Sequence, residues 1–281
     1  MNGGTAMDRT RLLRSLIDVE GSGLEIGPSY NPLLPKAEGF RVETVDYTDA
    51  AGLLRKYAGN PGANLAAIEP VDHVLDGSKS LAEAVGKPRG YDFIVASHVI
   101  EHVPDLLGFI QSCEWLLKPD GVLLLAVPDK RHCFDVLQPL TTTGGVLQAH
   151  LERRTRPTPG AVFDDLAYNM LRGDRGGWGR DDTGALRFAA GDLAAAAASF
   201  DEHARSARYT DVHVWRFVPS GFRLILRDLY EIGKIDLREQ VFRESVGNEF
   251  YATLSREGQG CPLDRLTLAR QSLAEQASVA V

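Results

Sequence analysis

Cysteine is scarce in this sequence, with only Cys113, Cys133 and Cys261 among 281 residues. The three are scattered and form no CxxC pair, so the pattern indicates neither a disulfide framework nor a zinc site. We expect thiols that are buried or chemically indifferent, as in a reducing cytosol.

Long apolar runs are missing as well. The longest aliphatic stretch, GVLLLAV at 121–127, is far too short to span a bilayer. The N-terminal stretch MNGGTAMDRTRLLRSLIDVEG lacks the apolar core of a signal peptide. These features predict a soluble, cytoplasmic protein without a membrane span.

The sequence also has no excess of basic residues. Lysine and arginine number 31 against 38 aspartates and glutamates, which gives a formal net charge of −7. Binding to a nucleic-acid backbone requires a basic footprint, so we expect no nucleic-acid partner. The apolar fraction of 44% and the charged fraction of 25% are ordinary for a globular enzyme.

The stretch GLEIGPSYNPLLP, residues 23–35, lacks the further glycines of a dinucleotide fingerprint. Gly27 allows a sharp turn and a close approach of the backbone to a ligand. Pro28 removes a hydrogen-bond donor, and two later prolines prevent a helix from starting at once. The loop is therefore poorly suited to a pyrophosphate, and it suits a cationic amino-acid group held by Glu25.

Regular alternation of strands and helices fills the first half of the chain. The patterns predict a helix at 8–19, strands at 23–27, 40–47, 71–77, 91–100 and 121–129, and helices at 51–59, 80–86 and 105–121. Such βαβ units build a doubly wound, Rossmann-like α/β sheet. Later patterns predict a surface helix at 191–208, a helix at 219–233, and strands at 234–242 and 248–257.

Four segments follow from this pattern. We expect an N-terminal helix within 1–22, a core made of 23–130 and 211–258, a helical insertion at 131–210 that acts as a lid or acceptor site, and a C-terminal tail at 259–281.

Polar residues stand where the predicted strands end, at the edge where open α/β sheets bind ligands. Asp46 lies 21 residues after Glu25, a spacing typical of an acid that accepts hydrogen bonds from a ribose diol; a solvated carboxylate opening a turn is the alternative. Asp76 and Gly77 end the third strand, either near a purine amine or as a plain Asp-Gly turn. The fourth strand runs into SHVIEHVPD, residues 97–105.

Taken together, LEIGPS, the acid after strand two, DGS, YDFIVASHVIEHVPD and LLKPDGVLLLAVPD resemble the class I S-adenosylmethionine-dependent methyltransferases. The resemblance is closest to the small-molecule branch with a Glu-His-Val turn, and it covers residues 10–130 and 213–255. It implies a seven-stranded sheet whose last strand is antiparallel, with S-adenosylmethionine as cofactor and S-adenosylhomocysteine as product. The lack of phosphate-binding glycines then has a reason, because this cofactor has no phosphates.

The same resemblance implies a cofactor site. Its residues are Glu25, Gly27, Pro28 and Ser29 near the methionine portion, Asp46 and Tyr47 at the ribose, Asp76 and Gly77 at the adenine, and Ser97, His98 and His102 beside the amino group and the pocket mouth. One departure concerns the first loop, where the usual Gly-x-Gly of the family is replaced by Gly27-Pro28-Ser29 and the loop contacts are therefore in doubt.

Transfer to a hydroxyl also requires removal of a proton. Two polar clusters, PDKRHCFD at 128–135 and YTDVHVW at 209–215, supply the candidate catalytic residues: His132, His213, Asp129 and Asp211. If 209–215 is extended, Asp211, His213 and Trp215 share one face, as in a sugar site; the alternative is a core Trp215 and a structural His213. A divalent ion held by Asp129, His132, Asp135, Asp211 and His213 is a further possibility, but no compact metal motif occurs and no metal is predicted.

Both clusters resemble bacterial methyltransferases associated with surface polysaccharides, which implies O-methylation of a sugar or glycan hydroxyl. Two alternatives stay open: methylation of another small metabolite at oxygen, nitrogen or carbon, and a cofactor-binding protein without turnover. The sequence leaves the acceptor, the methylated position and the oligomeric state undetermined.

Overall fold

The computed structural model describes residues 9–278 and has a seven-stranded sheet as its centre. The strands of this sheet are β1 (Gly23–Ile26), β2 (Val42–Asp46), β3 (His73–Val74), β4 (Tyr91–Ser97), β5 (Leu117–Pro128), β8 (Arg238–Val246) and β9 (Glu249–Ser255). Two further strands, β6 (Met170–Arg172) and β7 (Leu186–Phe188), form a separate sheet. The helices are α1 (Arg9–Arg14), α2 (Ala50–Tyr57), α3 (Leu81–Val85), α4 (Leu106–Leu116), α5 (Thr143–Leu151), α6 (Pro159–Tyr168), α7 (Leu193–Arg205), α8 (Pro219–Glu231) and α9 (Arg265–Ala277).

The strand order in the large sheet is β3-β2-β1-β4-β5-β9-β8. The first five are parallel, while β9 is antiparallel to both β5 and β8. This arrangement confirms the predicted doubly wound, Rossmann-like sheet with its last strand antiparallel. The order reverses between β1 and β4, and such a switch point leaves a crevice at the carboxyl ends of the strands.

The central strand β4 is buried on both faces, as its continuous apolar run predicts. Ile94 and Ala96 belong to one hydrophobic cluster, whereas Phe93 and Val95 belong to another on the opposite side of the sheet. All four side chains are at most 1% exposed. The period-2 alternation of a strand therefore distributes one apolar sequence between two cores.

Glycine at position 23 is required by the packing of β1 on β4. A Cβ at this position would lie 2.0 Å from the Phe93 ring, so we expect Gly23→Ala to lower the free energy of unfolding by about 2 kcal/mol through overpacking. Urea denaturation measures the change. Gly59→Ala is the control, because a Cβ there meets nothing within 4 Å. Equal stability of the two variants would show that β1 and β4 are not in this close contact.

Several elements differ from the sequence prediction. The helix predicted at 105–121 ends at Leu116, because β5 already begins at Leu117. The predicted tail at 259–281 contains α9, which packs on α8 and accepts a hydrogen bond from Ser220 Oγ at Glu275 Oε1 (2.7 Å). The N-terminal helix is shorter than predicted. Residues 1–8 and 279–281 of these predicted segments lie outside the described residues.

The insertion at 131–210 contains the helices α5, α6 and α7, which account for less than half of its residues. It also contains the small antiparallel hairpin of β6 and β7, which the sequence did not predict. Between residues 9 and 278, no helix combines the length and apolar character required to cross a membrane.

Candidate functional site

A cleft of about 1310 Å³ opens at the carboxyl ends of the parallel strands. All the residues that the sequence assigned to a cofactor line this cleft: Glu25, Gly27, Pro28, Ser29, Asp46, Tyr47, Asp76, Gly77, Ser97, His98 and His102. They come from the ends of four different strands, and the parallel sheet brings them together at one edge. Their contact with a cofactor stays a prediction.

The loop after β1 is held by the buried side chain of Glu25. The backbone N–H groups of Leu33 and Leu34 donate to its two carboxylate oxygens at 2.6 and 3.0 Å. Burial raises the pKa of Glu25 to about 7, against the opposing effect of these two hydrogen bonds. Glu25 therefore shapes the loop, and this is a role that the sequence did not predict.

The turn itself uses left-handed backbone conformations. Gly27 has φ +67° and Ser29 has φ +49°, a region that a residue with a side chain seldom adopts. The backbone N–H of Ser29 donates to Asp46 Oδ2 at 3.2 Å, and that of Tyr47 donates to Asp46 Oδ1 at 2.8 Å. Asp46 is thus fixed between the ends of β1 and β2, with burial raising its pKa.

The third strand end is more open. Asp76 Oδ1 accepts a hydrogen bond from the backbone N–H of Ser78 at 3.0 Å, and Gly77 has φ +85°. Hydrogen bonds from Ser78 lower the pKa of Asp76. The segment is therefore the plain Asp-Gly turn that the sequence offered as the alternative to a purine contact. The turn also forms part of the cleft wall.

An ion-pair network supports the turn after β4. His98 has φ +54°, and its Nε2 lies 2.8 Å from Glu249 Oε2. Arg9 donates to the same carboxylate at 2.5 and 2.8 Å and to Ser97 Oγ at 2.7 Å. Burial alone would lower the pKa of His98, but the carboxylates of Glu101 and Glu249 outweigh it and raise the pKa to about 9. Sequence reasoning missed Arg9 and Glu249, which lie 240 positions apart.

Glu101 lies below this turn and is fully buried. Its Oε1 atom is 3.5 Å from His98 Nδ1, 3.9 Å from His102 Nε2 and 4.0 Å from His213 Nε2. Burial would raise the pKa of Glu101, but the three imidazoles outweigh that effect and hold it below its usual range. The sequence placed Glu101 in the turn but did not indicate that three histidines surround it.

Of the candidate catalytic residues, Asp211 lines the cleft. Its carboxylate lies 2.9 Å from His102 Nδ1 and 3.3 Å from Lys56 Nζ. The hydrogen bond with His102 is the main cause that holds the pKa of Asp211 well below its usual range. Asp211 therefore links the turn after β4 to helix α2.

His213 and Trp215 lie in the protein interior, so the predicted sugar-binding face was wrong. His213 Nδ1 is 2.5 Å from Asp135 Oδ2, and Trp215 Nε1 donates to the Val103 carbonyl at 2.6 Å. The physical reason is that residues 206–216 form no strand. Backbone N–H groups at 214 and 215 both donate to the Glu101 carbonyl, which directs the neighbouring side chains inwards.

Asp129 and His132, which the sequence placed beyond strand five, do not line the cleft, and their role as bases stays a prediction. Asp129 is fully buried and accepts hydrogen bonds from Arg131 Nη2 and Ser245 Oγ, both at 2.5 Å. It also caps the 3₁₀ turn that contains His132, a half-buried residue whose pKa burial lowers. Both residues follow β5 directly in the sequence, but β9 and the 3₁₀ turn enclose this end of the strand.

Other lining residues could not be assigned from the sequence. Aromatic and basic side chains surround the outer part of the cleft: Tyr30, Lys56, Tyr57, Arg153, Arg154 and Tyr209. Lys56 Nζ lies 4.6 Å from the centroid of the Tyr47 ring. Because 153, 154 and 209 belong to the insertion, this segment contributes directly to the cleft wall.

Known proteins with similar sequences show the family of this chain. The profile of a family described as a methyltransferase domain matches residues 4–174. The ubiquinone biosynthesis O-methyltransferase of Actinobacillus pleuropneumoniae is 33% identical over 112 residues, which cover 32% of this chain and 48% of that protein. The mitochondrial ubiquinone biosynthesis O-methyltransferase of Bos taurus is 36% identical over 108 residues, covering 32% of this chain and 29% of that protein.

This chain thus matches less than half the length of either relative. Among solved structures, the CcbJ methyltransferase of Streptomyces caelestis is 12% identical, covers 88% of this chain and 93% of its own, and has a TM-score of 0.43. The family profile covers more than half of the chain. The protein therefore belongs to the methyltransferase-domain family of class I S-adenosylmethionine-dependent methyltransferases, and S-adenosylmethionine is its cofactor.

Proposed function

We propose that this chain transfers a methyl group from S-adenosylmethionine to a hydroxyl oxygen of a small molecule. The observation that carries the proposal is the convergence of the ends of β1, β2, β3 and β4 on one cleft. Pockets for drug-sized ligands measure roughly 300–1,000 Å³, and this cleft, at about 1310 Å³, is larger.

The residues at the strand ends fit the cofactor. Each oxygen of Asp46 accepts one backbone hydrogen bond and keeps a lone pair for a donor such as a ribose hydroxyl. At Gly27 the lack of a side chain allows the backbone to approach the ligand closely. When bound, S-adenosylmethionine supplies an electrophilic methyl group on a sulfonium sulfur.

The chain's own contribution to the reaction is alignment of the acceptor and control of its proton. His98, His102 and Asp211 form a polar wall of the cleft at the exit of β4. A hydroxyl held against this wall would have hydrogen-bond partners that fix its orientation, and orientation is a large part of catalysis in such a displacement. Residues 153–155 and 209 of the insertion also line the cleft, and the acceptor would bind on that side.

For the acceptor we propose a ring-bearing hydroxyl compound, with a sugar or glycan hydroxyl as the first class. Trp215 gives no support to this class, because it is buried. The tyrosines at 30, 47, 57 and 209 support it instead, since they line the cleft and combine an apolar ring with a hydroxyl group. The relatives named above are O-methyltransferases, which favours oxygen as the methylated atom and keeps other small hydroxyl metabolites as the second class.

An acceptor screen tests the proposal by release of S-adenosylhomocysteine. Two panels, one of sugars and nucleotide-sugars and one of phenols, are each matched with compounds in which the hydroxyl is replaced by hydrogen. We expect release with members of one panel and none with their matched controls. Cofactor binding without release across both panels would contradict the proposed hydroxyl acceptor and favour a binding protein without turnover.

A further inference from the structure

We propose that Glu101, His102 and His213 bind a divalent transition-metal ion beside the cofactor cleft. The first observation concerns the burial and hydrogen bonding of the Glu101 carboxylate. Its side chain is 0% exposed, and neither carboxylate oxygen accepts a hydrogen bond from the residues that the structure describes. His98 Nδ1, at 3.5 Å, is an ion-pair neighbour of Oε1 and not a hydrogen-bond partner, and buried carboxylates in native proteins are usually hydrogen-bonded or coordinate metals.

The second observation is the direction of the imidazoles. His102 Nε2 and His213 Nε2 face the same Glu101 oxygen at 3.9 and 4.0 Å, which is beyond hydrogen-bond distance. One ligand atom from each of the three residues lies within 4.8 Å of the others. Ligands at zinc distances of 2.0–2.1 Å in tetrahedral geometry are roughly 3.4 Å apart. A small rotation of each side chain would therefore bring all three atoms onto one ion.

The third observation is that a carboxylate lies close to the other ring nitrogen of each imidazole. His102 Nδ1 lies 2.9 Å from Asp211 Oδ1, and His213 Nδ1 lies 2.5 Å from Asp135 Oδ2. Metal-binding histidines almost always donate their other ring N–H to such a partner, which fixes the tautomer and the ring orientation. The cluster thus has the supporting carboxylates of a metal site in addition to three candidate ligands.

The ligand types select the kind of ion. Two imidazoles and one carboxylate suit zinc and its first-row neighbours, whereas magnesium and calcium prefer sites made of oxygen. His98 Nδ1, 3.5 Å from the same Glu101 oxygen, stands on the cleft side of the cluster. Three protein ligands with a further position facing a cleft are typical of a catalytic rather than a structural site.

The role of the ion rests on the proposed function, but its binding does not. An acceptor hydroxyl on the open position would lose its proton to water more readily, because a bound divalent ion lowers the pKa of the hydroxyl. Its oxygen would then form the new bond to carbon while the carbon–sulfur bond breaks, and the thioether leaves uncharged. The sequence predicted no metal. Of the five residues that the sequence analysis considered as ligands of a divalent ion, only His213 is a ligand in this cluster.

Metal titration of chelator-treated protein, without S-adenosylmethionine, tests the site. We expect one zinc ion to bind per chain at micromolar concentration or below by calorimetry, and cobalt(II) to show the visible absorption of a histidine- and carboxylate-bound ion. Glu101→Gln and His213→Ala should each weaken binding at least a hundredfold. His73→Ala is the matched control, since His73 pairs with Glu43 at 2.8 Å and lies outside the cluster.

Should either buried variant fail to fold by circular dichroism, His102→Ala provides the same test at a partly exposed residue. Absence of binding by the unaltered protein, or equal binding by the folded variants and the control, would overturn the site. Failure of the proposed function is a separate result: S-adenosylmethionine would not bind, or no hydroxyl acceptor would be methylated, whatever the metal titration gives.

Discussion

Replacing Asp46 by alanine is expected to weaken S-adenosylmethionine binding by about a hundredfold. The carboxylate is fixed by two backbone N–H groups at the end of β2, and it is the buried acceptor at the centre of the cleft edge. Hydrogen bonds to a charged group are each worth about 1.5–3 kcal/mol, and tenfold in affinity corresponds to about 1.4 kcal/mol. Calorimetric titration with the cofactor measures the loss.

Two further variants make the Asp46 result specific. Asp46→Asn keeps one acceptor oxygen, so its affinity should lie between those of the alanine variant and the unaltered protein. Asp120→Ala removes an exposed carboxylate before the central part of β5, far from the cleft, and should bind the cofactor normally. If Asp46→Ala bound as tightly as Asp120→Ala, the cofactor would not lie along the end of β2.

The second large effect is a pH dependence of stability that originates at Glu25. Burial raises the pKa of this carboxyl from an ordinary 4.5 to about 7 in the folded protein. Between these values the folded chain retains a proton that the unfolded chain has released. The free energy of unfolding should therefore fall as the pH rises from 4.5 to 7, by about 3 kcal/mol from this group, and then level off.

Glu25→Gln isolates this contribution because glutamine does not titrate. Urea denaturation from pH 5 to pH 8 gives the unfolding free energy of both proteins. The value for the unaltered protein should fall relative to that for Glu25→Gln as the pH rises to 7, and the difference should stay constant above pH 7. The exposed Glu20→Gln serves as the control. A difference for Glu25→Gln that does not change with pH would mean that the Glu25 carboxyl is solvated in the folded state.

The predicted cofactor residues and the predicted bases had different outcomes, and the reason lies in the kind of pattern used. Residues such as Asp46 and His98 stand directly after strands, and parallel strands deliver their carboxyl ends to the same edge of a sheet. His213 and Trp215 were placed by assuming an extended segment, but no strand forms there. Without sheet pairing, side-chain alternation does not decide which face is buried.

Long-range contacts account for what the sequence missed around the cleft. Glu101 is the fourth residue of a five-residue stretch that begins and ends with histidine, yet its surroundings include His213, more than a hundred positions away. Arg9 reaches the turn after β4 through Glu249 on the last strand of the sheet. Neither partner has a spacing that relates it to the turn, so no periodicity connects them.

The sequence by itself determined the doubly wound sheet and the strand ends that form the cleft, because apolar periodicity and crossover handedness act over short stretches of chain. The antiparallel last strand was implied by the family resemblance. Only the tertiary structure decided which polar groups are buried together: Glu25 under its own loop, Asp129 behind β5, and Glu101 among three imidazoles. The charge and hydrogen bonding of a buried group depend on neighbours from distant segments, and these neighbours are set only when the whole chain has packed.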